Sequence, residues 1–460
     1  MSVGKLVSIN PSTEEIFGEI EESSDFEIIE KVDRAKKFRE WGSRNFAERV
    51  DVVRELIDLL ENRKESIART MAFEIGKPLK TGRHEIEIIK KRINDYCNMI
   101  PEFIADEVLF EDENEKNIAV FEPLGTIVVI SPWNAPVFVS LAMIIPPLLC
   151  GNNMIWKPSE YASFTGLKIS ELFSELKKRG LPEHAFQMII GGKGIGRKLV
   201  ESDINMVALT GSIRAGKEVV KFSADKLHKF VLELGGKDAA IILEDANIDR
   251  SAREIVKSST MYTGQVCFGV ERVYCHADVF AEFVVSCVEE TKRLKIGNPF
   301  DEETDIGPFS VQFQMEHVQE HLRDALEKGA TLLCGGERTS NNGYFIAPGV
   351  LIDVNHGMKI MQEETFGPIT PIMRFSDINE AIRLVNDSYY GLTASIWTSN
   401  LKRGEEIARK IEAGTVEINR HGMSKAGCPW GGYKNSGIGR IYSKEGVREF
   451  CNIKHVWVVK

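Results

Sequence analysis

Residues 125–160 read GTIVVISPWNAPVFVSLAMIIPPLLCGNNMIWKPSE. The stretch begins with a short, wholly apolar strand, GTIVVIS. An apolar segment at 135–151 follows, and then a second strand, NNMIWK. The apolar segment is shorter than the roughly 20 residues a membrane span needs, and Pro146-Pro147 interrupts it. It therefore reads as a buried helix. Strands apolar on both faces, alternating with helices, imply a parallel sheet covered on each side. The alternation continues through the helix FTGLKISELFSELKKRG, the strand AFQMII, the short helix GIGRKLVES, the strand INMVALTG, the helix SIRAGKEVVKFSADK and the strand KFVLELGG. In such a sheet, ligands collect at the carboxyl ends of the strands, and nucleotide binding is the default expectation.

Downstream, a second alternating series starts with DAAIILED, the helix IDRSAREIVKSSTMYTG and the strand ERVYCHA. It continues through TPIMRFS, INEAIRLVND and LTASIWTS to about residue 440. Upstream, the first hundred residues read as mostly helical, with apolar residues at three- and four-residue spacing. The long pattern starting at NFAERVDVV stops at Gly76 with Pro78 just beyond, as a helix end does. EVLFEDENEKNIAVFEP (107–123) reads as a hairpin, and the terminal strand NIKHVWVVK has no neighbour in sequence to pair with except that hairpin. The expected class is α/β. A Rossmann-like parallel-sheet cofactor domain takes residues 1–106 and 124–233, and a second α/β catalytic domain takes 234–442. A small β element, 107–123 with 443–460, is expected to pair subunits, because an exposed apolar edge strand is a liability to a monomer.

Composition limits the functions open to the chain. At 460 residues, 43% hydrophobic and 27% charged, it is a globular protein of two or three domains. A net charge of −10 and the lack of a basic stripe argue against nucleic acid as a partner. MSVGKLVSINPSTEE has no apolar core and is not a signal peptide, and the eight scattered cysteines suit free thiols in a reducing cytoplasm. No cysteine pair has CxxC spacing and the nine histidines do not cluster with the cysteines, so no metal site is expected. Neither a membrane nor a nucleic-acid partner is expected.

Chemistry-bearing residues gather at the strand ends of the first sheet. Asn134 follows the first strand, and Lys157 and Glu160 follow the second. In LTGSIRAG a strand runs into Gly211-Ser212 and then a helix, whose free N–H groups and positive end can take a pyrophosphate. GGKGIG (191–196) does not fit the G-x-G-x-x-G spacing, because position 197 is Arg. Glu233 ends the last strand before two glycines, and Cys267 comes next along the chain, in TGQVCFGVERV (263–273). Taken singly, each is ordinary: strand-end punctuation, a solvated charge pair, a small buried thiol. Their convergence on one side of one sheet is not ordinary.

These motifs, in this order, resemble the NAD(P)-dependent aldehyde dehydrogenases over nearly the whole chain. SPWNAP (131–136) is similar to the family's oxyanion motif, WKPSE to its adenosine-ribose motif and LTGSIRAG to its helix start. LELGGK resembles its glutamate signature, GQVCFGVER its nucleophile signature, EETFGP (363–368) its nicotinamide-ribose motif and PWGGYKNSGIGR (429–440) its C-terminal signature. The resemblance implies Cys267 as nucleophile, Glu233 as base, and Asn134 with the Cys267 N–H as oxyanion donors. It also implies a cofactor cleft lined by Ser131, Trp133, Lys157, Ser159, Glu160, Gly211, Ser212, Leu234, Glu364 and Phe366. A carboxylate at Glu160 suits a ribose diol and repels a 2′-phosphate, so NAD is expected ahead of NADP. A homodimer or homotetramer is the expected assembly.

Two positions depart from the family. Ile441 follows Arg440 where many relatives have an acidic residue, and Ala135 follows Asn134 where many have an aromatic one. The helix after Asn134 carries no Arg or Lys, and with Met261, Tyr262 and Trp430 the tunnel is expected to be apolar, suiting an uncharged aliphatic or aromatic aldehyde. The semialdehyde of an acid is the alternative, reached by Arg420, His421 or Lys425 of the loop NRHGMSKAG (419–427). A CoA-acylating enzyme conflicts with Glu233, because such family members generally lack that base. A non-enzymatic scaffold conflicts with the retention of Cys267, Glu233 and Asn134 together. A papain-like hydrolase would leave the cofactor motifs unexplained.

Overall fold

The computed structural model describes residues 4–340 and 342–460. The stretch that opens the sequence argument folds as the strand Thr126–Ile130, the helix Phe138–Leu149 and the strand Asn153–Lys157. The two strands pair in parallel, with Ile130 level with Lys157. Every side chain of the helix from Phe138 to Leu149 is buried except half-buried Val139, and the two prolines fall in its last turn. It packs between the sheet and two long helices, Phe46–Ile75 and Leu79–Phe103. Asn45 caps the first of these by accepting from the Glu48 N–H, and Gly76 ends it in the left-handed region at φ 68°.

The first large sheet has six strands in the order Gly437–Ile438, Lys229–Glu233, Met206–Thr210, Thr126–Ile130, Asn153–Lys157 and Phe186–Met188. All its pairings are parallel except that of the two-residue Gly437–Ile438 strand. Strand order reverses between Thr126–Ile130 and Met206–Thr210, which makes that crevice the switch point where α/β sheets take ligands. Register sets Thr210 level with Glu233, so both reach the carboxyl-end rim together.

The second sheet has seven strands, ordered Thr331–Cys334, Gly349–Ile352, Ile369–Phe375, Val270–His276, Asp238–Ile242, Thr393–Trp397 and Thr415–Ile418. Only the outermost pair, Thr331–Cys334 with Gly349–Ile352, is antiparallel. A third, three-stranded antiparallel sheet joins the hairpin Glu107–Glu111 and Glu115–Pro123 to the terminal strand Cys451–Val459, in full register from Cys451↔Pro123 to Val459↔Glu115.

The sequence reading left several elements unplaced. The first hundred residues, read as mostly helical, also hold the hairpin Lys5–Ile9 and Ile16–Glu21, which none of the helical patterns covers. Its apolar residues Val7, Ile9 and Ile16 are 49%, 41% and 65% exposed, so the strand alternation has no buried face to mark it. The hairpin is held from outside itself, by Phe17 stacked on Phe73 at 5.4 Å and edge-on to Phe164 at 5.1 Å.

Candidate active site

Cys267 lies on a loop between the helix Ile248–Thr260 and the strand Val270–His276. Tyr262, Thr263 and Gly264 take successive positive φ values of 52°, 62° and 73°. Such a run is costly for side-chain-bearing residues and persists only where the surroundings enforce it. Here they do. A Cβ on Gly264 would lie 2.1 Å from the Gly367 carbonyl carbon, so only glycine fits. Gln265 clamps the loop: its Nε2 donates to the Tyr262 carbonyl at 3.0 Å and its Oε1 accepts from the Ser310 N–H at 3.1 Å.

The same residue ties the loop to Asn134, whose Nδ2 donates to the Gln265 carbonyl at 2.7 Å. One N–H fixes the amide and the second remains for a ligand. Glu85 fixes the segment that follows Asn134, accepting from the Val137 and Phe138 N–H groups at 2.9 Å each. Glu85 is fully buried and ion-paired with buried Lys77, whose ammonium lies 3.7 Å from the centroid of the Tyr262 ring. A single buried charge pair thus braces both loops.

Glu233 is buried at the end of its strand, and its Oε1 has no hydrogen-bond partner among the described residues. Burial pushes its carboxyl up to about 8, against the opposing pull of Arg440 and the Trp430 indole. Burial, with Asp238, Glu233 and Glu364 nearby, raises the Cys267 thiol well above its ordinary range. The resting thiol is therefore protonated and needs a base. Gly236 lets the two loops meet, because a Cβ there would stand 2.4 Å from the Cys267 carbonyl oxygen.

Asn134, Glu233 and Cys267 open into one cavity of about 670 Å³. Its inner wall is apolar, with Ala135, Phe138, Met143, Met261, Trp430 and Ile441 among the lining residues. Trp430 is locked to Ile441 by reciprocal backbone hydrogen bonds of 3.0 and 2.9 Å. Arg420, His421 and Lys425, named as the means of reaching an acidic substrate under the alternative reading, do not line the cavity; that loop contributes Gly422 and Met423. His421 is buried with its Nε2 2.7 Å from the Phe268 carbonyl, and Arg420 pairs with Glu417 at 3.0 Å.

On the other side of Glu233 the strand ends carry the expected cofactor residues. Lys157 is buried, donates to the carbonyls of Pro158 and Gly191 at 2.8 and 2.6 Å, and faces Glu160 at 3.7 Å. Ser159 accepts from the Tyr161 N–H at 3.3 Å. Ser212 caps the helix Ile213–Ser223 by accepting from the Ala215 N–H at 3.2 Å, which leaves the first-turn N–H groups of Ile213 and Arg214 for an anion. The Gly211 N–H is spent on the Glu233 carbonyl at 3.0 Å, and Leu234 packs against Gly216 in the helix's first turn. The Ser131 hydroxyl accepts from the Trp156 indole at 2.9 Å and from Ser140 at 2.7 Å, so it holds the strand end from within. Trp133 stands edge-on to Phe366 at 5.8 Å.

Glu364 rests on the Gly235-Gly236 backbone, where its Oε1 accepts from the Gly236 N–H at 3.0 Å. Burial and the neighbouring Glu271 push its carboxyl up to about 8. Its loop hangs on Glu271, which accepts from the Thr365 and Phe366 N–H groups at 2.7 Å each and from buried Lys237 at 2.6 Å.

This arrangement of thiol, carboxylate and amide beside a nucleotide-type cleft has known counterparts. Residues 2–456 match the model of the aldehyde dehydrogenase family. The chain belongs to that family. It is 34% identical to an aldehyde dehydrogenase of Paenarthrobacter nicotinovorans, over 98% of this chain and 99% of the relative. It is 32% identical to an NADP(+) succinate-semialdehyde dehydrogenase of Mycobacterium avium, over 98% of this chain and 96% of that one. Among solved structures, betaine aldehyde dehydrogenase from Staphylococcus aureus in complex with NAD+ is similar at 29% identity and a TM-score of 0.93, covering 99% of this chain and 91% of that one.

For this aldehyde dehydrogenase, sequence reasoning missed two braces, Lys77–Glu85 and Lys237–Glu271. Glu85 carried a legible signal. It falls on the apolar stripe Gly82, Ile86, Ile89 and Ile93 of its helix, where a carboxylate needs a reason to be buried. Lys237 closes the LELGGK motif, but nothing in its spacing pointed to Glu271 as its partner.

Proposed function

We propose that the chain oxidises an aldehyde to a carboxylic acid through a covalent intermediate on Cys267. The observation that carries this reading is the shared cavity of Cys267, Glu233 and Asn134, together with a buried Glu233 Oε1 that has no hydrogen-bond partner among the described residues. Cys267 Sγ, its proton drawn off by Glu233, attacks the aldehyde carbon. The carbonyl oxygen becomes an oxyanion that accepts from the spare Asn134 N–H and the Cys267 N–H. A nicotinamide dinucleotide, when bound, would accept the hydride given up by the thiohemiacetal carbon, which leaves a thioester on Cys267. Glu233 first gives the Cys267 proton up to water through the cavity and, ionised again, takes a proton from a water whose oxygen attacks the thioester. The Cys267 sulfur leaves, and the acid departs. With Ile441 in place of an acidic neighbour, Glu233 returns its proton to water through the cavity.

The cleft residues fit such a cofactor. Lys157 and Glu160 would hold the adenosine ribose, the helix start at Ser212 the pyrophosphate and Glu364 the nicotinamide ribose. NAD ahead of NADP is our reading, resting on Glu160; its partial neutralisation by Lys157 at 3.7 Å makes the preference moderate. Relatives and neighbours of both kinds exist, one named for NADP(+) and one bound to NAD+. The apolar inner wall suits a hydrocarbon chain next to the carbonyl.

The test is Cys267→Ala. The variant should retain cofactor affinity while its aldehyde-dependent reduction of cofactor falls at least a thousandfold, because covalent catalysis has no substitute nucleophile in the cavity. A residual rate above about a tenth of the parent would overturn the assignment.

A further inference from the structure

The cavity changes character between floor and rim. One face of the helix Ile248–Thr260 runs along it through Arg253, Val256, Lys257 and Thr260. Val256 and Thr260 are buried, whereas Arg253 and Lys257 are exposed. At a rise of 1.5 Å per residue, Lys257 stands about 5 Å and Arg253 about 10 Å up the axis from Thr260. His84, also exposed, lines the cavity from the helix Leu79–Phe103.

The charges at this rim are unevenly matched. Lys80 is answered by Asp305 at 2.7 Å and Glu290 by Arg293 at 2.6 Å. Arg253, Lys257 and His84 have no ion pair or hydrogen-bond partner among the described residues. Two cations at i and i+4 repel each other within a helix, and neither closes an ion pair with Asp249 or Glu254 of the same helix among the described residues. The same cavity is also lined by the hydrocarbon side chains of Ile88, Phe138, Met143, Leu294 and Ile306.

We propose that Lys257 and Arg253 are specificity-determining residues that select an aldehyde whose apolar chain ends in a carboxylate. This rests on the aldehyde-oxidising reading above and narrows its substrate class. The aldehyde carbon lies at Cys267, the methylenes lie along the apolar wall and the carboxylate meets the rim cations. A very short dicarboxylic semialdehyde leaves its charge stranded among apolar side chains, so a longer one is preferred.

The test compares kcat/KM for the semialdehyde of adipate, the semialdehyde of succinate and hexanal. Exposed ion pairs contribute modestly, so the adipate compound should exceed hexanal by about three- to tenfold at low salt. The advantage should shrink in ~1 M salt, where the screening length is only about 3 Å. In the double variant Arg253→Ala, Lys257→Ala the ratio should fall towards one through a higher KM for the adipate compound. Lys257→Glu should push it below one. The succinate compound should lag behind the adipate one. A parental ratio of one or less, or a ratio unmoved in the double variant, overturns the inference while leaving aldehyde oxidation standing. Failure to reduce cofactor with any aldehyde overturns the oxidation reading and this inference with it.

Discussion

A carboxyl, a thiol and an amide meet at the candidate site. Because burial holds the Glu233 carboxyl up to about 8, only about a tenth of it is ionised at pH 7. A base must be deprotonated to act, so turnover should rise with pH and level off above about 8. The sign follows from burial: the raised value disfavours the active, charged form at neutral pH. Measured kcat across that range should titrate with one group near this value, provided deacylation limits the rate. A profile flat from pH 6 to 9 would contradict the assignment. That Cys267, Glu233 and Asn134 would share one cavity was legible in the sequence, because each lies at or just beyond the end of a strand or helix within a recognisable motif. The rim cations were not. Arg253 and Lys257 occupy the polar-looking side of an amphipathic helix, and nothing in a helical pattern distinguishes a cavity rim from open solvent.

At the scale of elements, the turn Tyr262–Gly264 carries the strain that presents Cys267. Gly264→Ala adds a methyl where the Gly367 backbone already stands and where φ is 73°. The expected cost is about 2–4 kcal/mol, from strain plus overpacking, with a fall in turnover because Gln265 and Asn134 move with the turn. Thermal unfolding alongside a rate assay checks both, and a variant within about 0.5 kcal/mol of the parent would show that the turn is not constrained as described. Most strands of both large sheets were readable as apolar runs, but the short strands Thr331–Cys334, Gly349–Ile352, Thr415–Ile418 and Gly437–Ile438 were not read. The Lys5–Ile9 and Ile16–Glu21 hairpin was not, because what stabilises it is Phe17 packing on residues far along the chain. The alternative that basic residues of the 419–427 loop reach the cavity is not met, for a similar reason. Which way a loop side chain points depends on partners such as Phe268 and Glu417, and spacing does not encode them.

At the scale of the whole molecule, the three-stranded sheet is the part least satisfied by the chain itself. Leu109, Ile453, Trp457 and Val459 are 60%, 65%, 63% and 77% exposed, and Cys451–Val459 is an edge strand nine residues long. A long exposed edge with apolar side chains invites a second copy of the chain. We therefore expect a dimer or tetramer at micromolar concentration by sedimentation, and Ile453→Asp with Trp457→Asp should shift it towards smaller species. A parent that sediments as a monomer would contradict this. No helix among the described residues is long and apolar enough to cross a membrane.

The central claim is that Glu233 frees a thioester held on Cys267, and Glu233→Gln tests it most directly. General-base loss commonly costs ~10²–10⁴ in rate. Rapid mixing of that variant with aldehyde and cofactor should give a burst of reduced cofactor approaching one per active site, then a slow steady state. Mass spectrometry should find the acyl group on Cys267, and a small added thiol should restore turnover by attacking it. Full steady-state activity in this variant, with no acyl adduct on Cys267, would contradict the account.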